Sequence, residues 1–194
     1  MLIIETPHLI MRDLQETDLQ PFFALSSDPA ITQFQTYLRM ENEEQAAEWL
    51  KNAAHHNQQQ PREAYNLAII RKQDQQWIGW IGMGQPKDKS LGDLDFGYAL
   101  SRHYWGMGYM TEALRGLIDF SFRELGIRSM FGACEMENVA SARVMEKAGF
   151  RLSATYEEAD EATGRMKKML RYAIARPIWE QDYQEELIHF SILP

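Results

Sequence analysis

One cysteine, Cys134, stands in the whole chain, so no intrachain disulfide can form and nothing points to an oxidising compartment. Basic residues are outnumbered, 20 Lys and Arg against 28 Asp and Glu, for a formal net charge of −8. A duplex nucleic acid as main partner needs a basic face to neutralise its phosphates, and this balance argues against one. It mildly favours a cationic substrate, although a negative balance more often serves solubility alone. No apolar run approaches the roughly 20 residues that span a bilayer. The opening stretch carries no basic leader, and Glu5 and Pro7 interrupt it, so it does not read as a signal peptide. His55-His56 and His189 lack companions at metal-ligand spacing, and no metal site is expected. The chain reads as soluble and cytoplasmic, with neither nucleic acid nor membrane as partner.

What is there suffices for one domain with its own core: 194 residues, 45% of them apolar. Leu2 to Met11 reads as a first strand with an irregularity at Pro7. A helix capped by Thr17 or Asp18 follows and ends at Asp28-Pro29. A second helix is expected from about Glu41 to His56. Ala64–Arg71 and Gln76–Met83 form a hairpin signal around Lys72-Gln-Asp-Gln75, and Leu94–Leu100 reads as a fourth strand. Met110, Ala113, Leu114, Leu117, Ile118, Ser121 and Leu125 recur at helical spacing before Gly126. Arg128–Met136 is a fifth strand, Asn138 caps a short helix closed by Gly149, and two strands near Phe150–Tyr156 and Arg165–Arg176 flank an acidic loop, Glu157 to Gly164. The tail from Pro177 reads as a closing helix. Hairpins followed by strand–helix–strand–helix–strand imply a mixed sheet with helices packed on it, an α+β fold.

The most informative stretch is His103-Tyr-Trp-Gly-Met-Gly-Tyr-Met-Thr-Glu-Ala113, between a strand and an amphipathic helix. Gly106 and Gly108 let a ligand approach the backbone, and the first amides of the helix have no internal partners. With the helix dipole they can receive a pyrophosphate, to which Thr111 adds a hydroxyl. Two glycines before a helix are equally compatible with a connection that binds nothing. A dinucleotide-binding turn would want a third glycine at position 111, where Thr stands, and a mostly parallel sheet, which the upstream hairpins disfavour.

Tyr104 to Ala113 resembles the coenzyme A pyrophosphate motif of the GNAT superfamily, in particular the branch of ribosomal-protein N-terminal (alanine/serine) acetyltransferases. Three further stretches are similar to that branch, in the same order: Ile4 to Asp18, Leu94 to Leu100, and Asn138-Val-Ala-Ser-Ala-Arg-Val-Met-Glu-Lys-Ala-Gly-Phe150. The resemblance covers roughly residues 2 to 176. It implies a GNAT fold, with a mixed central sheet of about seven strands flanked by about four helices. Residues 1–176 would be the N-acetyltransferase domain, and 177–194 an extension packed on it. One position departs from the pattern: the glycine motif usually opens with Gln or Arg, and His103 stands there.

The resemblance also implies acetyl-CoA as co-substrate, held by Tyr98, Ala99 and Leu100 on the fourth strand, by Trp105, Gly106, Met107, Gly108, Tyr109, Met110 and Thr111, and by Asn138. A backbone amide near Tyr98 or Ala99 would meet the oxyanion. Many members protonate the leaving thiolate with a Tyr where Met145 stands here, and Met has no proton to give. The ribosomal-protein branch uses a Ser one turn earlier, the place of Ser141. Ser141 is thus the candidate acid, beside the alternative of a serine bonded to its own helix end. Asp95 is the candidate base, beside the alternative of a solvent-facing edge residue. Cys134 reads as packing within an apolar strand. Trp77 and Trp80 read as a hairpin's packing face, with Trp80 or Tyr37 as candidate walls of an acceptor pocket. Glu157, Glu158, Asp160 and Glu161 read as a solvated turn before they read as a lure for a cationic amine.

The expected activity is acetyl transfer to a primary amine, on a protein N-terminus or a small molecule, in a ternary complex. The rival is a coenzyme A-binding protein with little or no turnover. Monomer and homodimer stay equally open.

Overall fold

Several strands are apolar on both faces, which demands cover on both. The structure is a computed structural model that describes residues 1–160, 164–182 and 188–192. In β3 (Ala64–Arg71) Leu67 and Ile69 point to one side and Ala68 and Ile70 to the other, all buried. β4 (Gln76–Gly84) is likewise buried along most of its length, so neither can be an edge strand. They pair antiparallel with each other and lie inside a nine-stranded sheet of order β7-β8-β6-β5-β4-β3-β2-β1-β9. Its other members are β1 (Leu2–Glu5), β2 (Leu9–Asp13), β5 (Leu94–Leu100), β6 (Ser129–Glu135), β7 (Arg151–Ala159), β8 (Met166–Ala175) and β9 (His189–Ile192).

One face is covered by α1 (Leu19–Ser26), α2 (Pro29–Thr32) and α3 (Glu43–Gln58). Their core includes Phe22, Leu25, Ile31, Leu50 and Ala53 with Ala68, Ile70, Trp80 and Ala99 of the sheet. Trp49 stacks on Phe22 at 4.6 Å and meets Trp80 edge-on at 5.5 Å. α3 starts where Asn42 accepts the Gln45 amide at 3.0 Å, with Glu43 and Glu44 in its first turn and His55 and His56 in its last. The other face carries α4 (Tyr109–Arg123) and α5 (Val139–Lys147). Met110, Ala113, Leu114, Leu117 and Ile118 of α4 pack on Ile4, Met11, Leu67, Ile69 and Ile81. Each fully buried aliphatic side chain there contributes roughly 1.5–3 kcal/mol. Gly116 brings α4 close, since a Cβ there would stand 2.7 Å from the Met11 side chain.

The structure departs from the sequence reading in four places. The expected first strand is two antiparallel strands, because the chain turns at Thr6–His8, where the Thr6 amide bonds Leu9 O at 3.0 Å. The acidic segment begins as strand, since β7 runs to Ala159, and Glu161 lies outside the described residues. After a helix, α6 (Arg176–Asp182), the tail returns as β9 against β1, a pairing the sequence reading lacked. The sheet thus has nine strands where about seven were expected, and six α-helices are described where about four were.

Candidate active site

β5 and β6 are the one parallel pair among the described strands, in register at Leu94–Met130 and Asp95–Phe131, with the Asp93 amide donating to Ser129 O just before. A wedge follows at once. The Phe96 ring lies over Gly132, where a Cβ would run into it, and packs on Phe150 at 4.9 Å. From there β5 stays with β4 as far as Leu100, while β6 stays with β8 as far as Glu135. The two strands therefore splay into a V, and their facing main-chain groups must find other partners. Gln35, on the turn after α2, donates its Nε2 to Tyr98 O at 2.7 Å. The Trp105 indole donates to Leu100 O at 2.6 Å. N–H and C=O of one residue leave a strand on the same side, so the Tyr98 amide also faces the gap. Ala99 alternates with it: its main chain faces Trp80 on β4 and its side chain joins the core under α1–α3.

A cavity of about 310 Å³ occupies the gap. One wall is Tyr98, Cys134, Asn138, Ser141 and Met145. Asn138 caps α5 by accepting the Ser141 amide at 3.1 Å, which fixes residue 141 at the mouth of the V. The Tyr98 hydroxyl lies 2.9 Å from Ser141 Oγ and 3.2 Å from Ser141 O. Burial pushes the Tyr98 hydroxyl well above the usual tyrosine range, with the bond to Ser141 working the other way. Cys134, 6% exposed, has its thiol pushed up to about 11 by burial, so it stays protonated near neutrality.

The facing wall is polar: Gln35, Thr36, Tyr37, Glu158, Asp160 and Lys167. Lys167 Nζ bridges Glu135 Oε1 at 2.5 Å and Asp160 Oδ2 at 2.6 Å, and Thr36 Oγ1 reaches Asp160 at 3.3 Å. Burial works against the Lys167 ammonium, but the two carboxylates outweigh it and hold its pKa above the ordinary value. Asp160, read as part of a solvated turn, is 7% exposed and ion-paired. Its pairing with Lys167 and Thr36 holds it inside, and a charged residue type gives no hint of that. Gln35 and the Tyr98 hydroxyl were also missed, the former because nothing local in sequence marks it.

The glycine turn ends in α4. Gly106 (φ 75°) and Gly108 (φ 87°) are left-handed, a conformation that side chains disfavour. A Cβ on either would meet nothing within 4 Å, so their backbone faces open space. The amides of Tyr109, Met110 and Thr111 lie in the first turn, where no helical carbonyl reaches them. Glu112 turns away from this end: its carboxylate accepts Thr6 Oγ1 at 2.6 Å and the His8 amide at 2.8 Å, tying α4 to the β1–β2 turn. Trp105 and Met107 are largely exposed, Tyr109 and Thr111 are half-buried, and Met110 and Leu100 lie in the core. His103 is exposed.

Asp95 does not line the cavity. It sits at the closed end of the V, opposite Gly84 and Phe131. Its charge acts on Tyr37, which does line the cavity and whose hydroxyl would lie 2.9 Å from a Cβ on Gly97. Tyr37 is 61% exposed as a residue, yet its hydroxyl is tucked over the strand, and burial, then Asp95, pushes it up to about 12. Burial also raises the Asp95 carboxyl. Trp80 is buried beneath Gly97 and Gly82, outside the cavity lining.

A sheet opened between two parallel strands, a helix start that can take phosphates and a hydroxyl pair at the mouth together define an acyl-CoA-type transferase. Residues 8–151 match the acetyltransferase (GNAT) domain. An uncharacterized N-acetyltransferase, p20 of Bacillus licheniformis, is 24% identical over 171 residues, covering 88% of this chain and 94% of the relative. The acetyltransferase of Salmonella typhimurium that modifies the N-terminal serine of ribosomal protein L7/L12 superposes with a TM-score of 0.77, at 18% identity, covering 90% of this chain and 99% of that one. Spermidine N-acetyltransferase of Vibrio cholerae, solved with CoA and spermine, gives 0.74 at 18% identity, covering 89% and 98%. The chain belongs to the GNAT acetyltransferase family, and its acetyl donor is acetyl-CoA.

Proposed function

We propose that this protein moves the acetyl group of acetyl-CoA directly to a primary amine, on a protein N-terminus or a small molecule, with both substrates bound. The observation that carries the reading is the Tyr98–Ser141 hydroxyl pair at 2.9 Å, across the cavity from an acidic wall. The pyrophosphate would rest on the amides from Gly106 to Thr111, and the pantetheine arm would enter the V beside Asn138 and Tyr98. Acetyl-CoA supplies the activated carbonyl and a thiolate leaving group. The Tyr98 amide faces the charge that develops on the carbonyl oxygen. Ser141 Oγ, held by the Tyr98 hydroxyl, gives its proton to the departing sulfur, and the proton that the amine sheds on acetylation returns to Ser141 through water.

The amine must arrive neutral. A lysine-type amine near pKa 10.4 pays about 4–5 kcal/mol for that at pH 7, whereas an α-amine near about 7.7–8.0 pays only about 1 kcal/mol. An α-amine therefore makes the smaller demand on the site. The raised Asp95 carboxyl, acting through Tyr37 or an ordered water, is the base in this reading. The neighbours that modify an N-terminal serine and spermidine support both acceptor classes.

Ser141→Ala tests it, by thiol release and calorimetry with acetyl-CoA. Turnover is expected to fall on the order of 10²-fold while the acetyl-CoA Kd stays within about twofold. Unchanged turnover would remove Ser141 as the acid. A wild-type protein that binds acetyl-CoA and acetylates no amine would favour the binding-protein reading instead.

A further inference from the structure

We propose that Gln35 is an acceptor-binding residue, whose side-chain carbonyl takes a hydrogen bond from an N–H of the incoming amine. The inference rests on the transfer reading above and names the group that positions its nucleophile. Gln35 lies on the turn between α2 and α3, and its two amide atoms have different fates. Nε2 donates to Tyr98 O at 2.7 Å, replacing the strand partner that β6 would have supplied had the V stayed closed. That bond fixes the amide, because a carbonyl can receive only the NH₂ end. Gln35 lines the cavity, and its Oε1 is buried with no hydrogen-bond partner among the described residues. A buried amide oxygen without a donor is unfavourable, so a small shift of the Gln35 side chain that opens Oε1 to the cavity would let a ligand supply one.

The amine fits better than the pantetheine arm. The thiol side is fixed by Asn138, Ser141 and Tyr98 on the α5 wall. Gln35 stands on the opposite wall with Thr36, Glu158 and Asp160, the side from which a nucleophile must approach the carbonyl. An amine that has lost its extra proton still carries N–H groups, and one directed at Oε1 leaves the nitrogen lone pair free for attack. Gln35 thereby ties acceptor position to the strand residue whose amide faces the developing charge.

Gln35→Met keeps the side-chain length and removes both hydrogen bonds, and Gln35→Glu keeps an acceptor oxygen. Steady-state kinetics with spermidine and with a peptide beginning in serine, alongside calorimetry with acetyl-CoA, read the outcome. The Met variant is expected to raise the KM of the turned-over amine about tenfold with the acetyl-CoA Kd unmoved. The Glu variant should restore KM to within about threefold of wild type while kcat stays low, because Tyr98 O has lost its donor. Wild-type constants in both variants would overturn the assignment. So would a weakened acetyl-CoA Kd with the amine KM unchanged, which would give the oxygen to the pantetheine arm. Wild-type protein that turns over neither amine would take down the transfer reading itself and this assignment with it.

Discussion

At the scale of single residues, the site is made by atoms whose usual partners have been taken away. The Tyr98 carbonyl has lost a strand neighbour, the amides after Gly108 have no preceding helical turn, and the Ser141 hydroxyl meets a tyrosine whose own pKa is driven up by burial. Gly108 is the position where one substitution separates conformation from contact. A Cβ there meets nothing within 4 Å, so Gly108→Ala adds no clash and is felt only through a φ of 87°. Its cost should be about 1–2 kcal/mol, or a Tm lower by about 2–8 °C, together with weaker acetyl-CoA binding as the turn relaxes. Thermal unfolding and calorimetry on the same sample check both. An unchanged Tm would mean that the left-handed turn is not required. Residues with a local reason were legible: Asn138 follows from helix capping, and Gly106 and Gly108 from the turn before α4, while Ser141 was marked by the family resemblance. Gln35 and Lys167 were not, since their partners Tyr98 and Glu135 are distant in sequence and polar residue types ordinarily face water.

Among elements, the one that matters most is the V, and it is pinned at its closed end. Asp93, just before β5, accepts the Arg128 amide at 2.6 Å and its guanidinium at 2.8 Å, just before β6. The Arg128 guanidinium holds the Asp93 carboxyl below the usual carboxylate range. A carboxyl depressed in the folded state stabilises it above the unfolded value, about 3.9, and that contribution is lost as pH falls through the lower folded value. Arg128→Ala should therefore lower stability near pH 6 only slightly, because Arg128 is 88% exposed. The difference from wild type should shrink below about pH 3. Urea unfolding at both pH values measures it, and a difference that grows in acid would contradict the assignment. β3 and β5 were legible to the residue because their apolar runs end at polar turns. The β1–β2 turn was not, because Pro7 reads as an irregularity within one strand as readily as a turn between two.

For the whole molecule, the sheet separates cleft from tail. β9 closes the far edge, with Phe190 against Phe120 at 5.6 Å and Ile188 8% exposed, and five strands lie between it and the V. The tail is proposed to belong to the same cooperative unit as the rest. Ending the chain after Asp182 should then lower stability on the order of 2–3 kcal/mol in a single unfolding transition while leaving the acetyl-CoA Kd unchanged. A second transition, or none of this loss, would make the tail a separate appendage. β9 escaped the sequence reading because β1, its strand partner among the described residues, lies at the other end of the chain. The family, by contrast, was legible because its motifs are local and ordered.

The most direct measurement is a crystal structure of the protein with coenzyme A. The expected result has the pyrophosphate on the amides between Gly106 and Thr111, the pantetheine arm in the V, and the sulfur within hydrogen-bond reach of Ser141 Oγ. A sulfur directed away from the Tyr98–Ser141 pair, or a pyrophosphate bound anywhere but the start of α4, would contradict it.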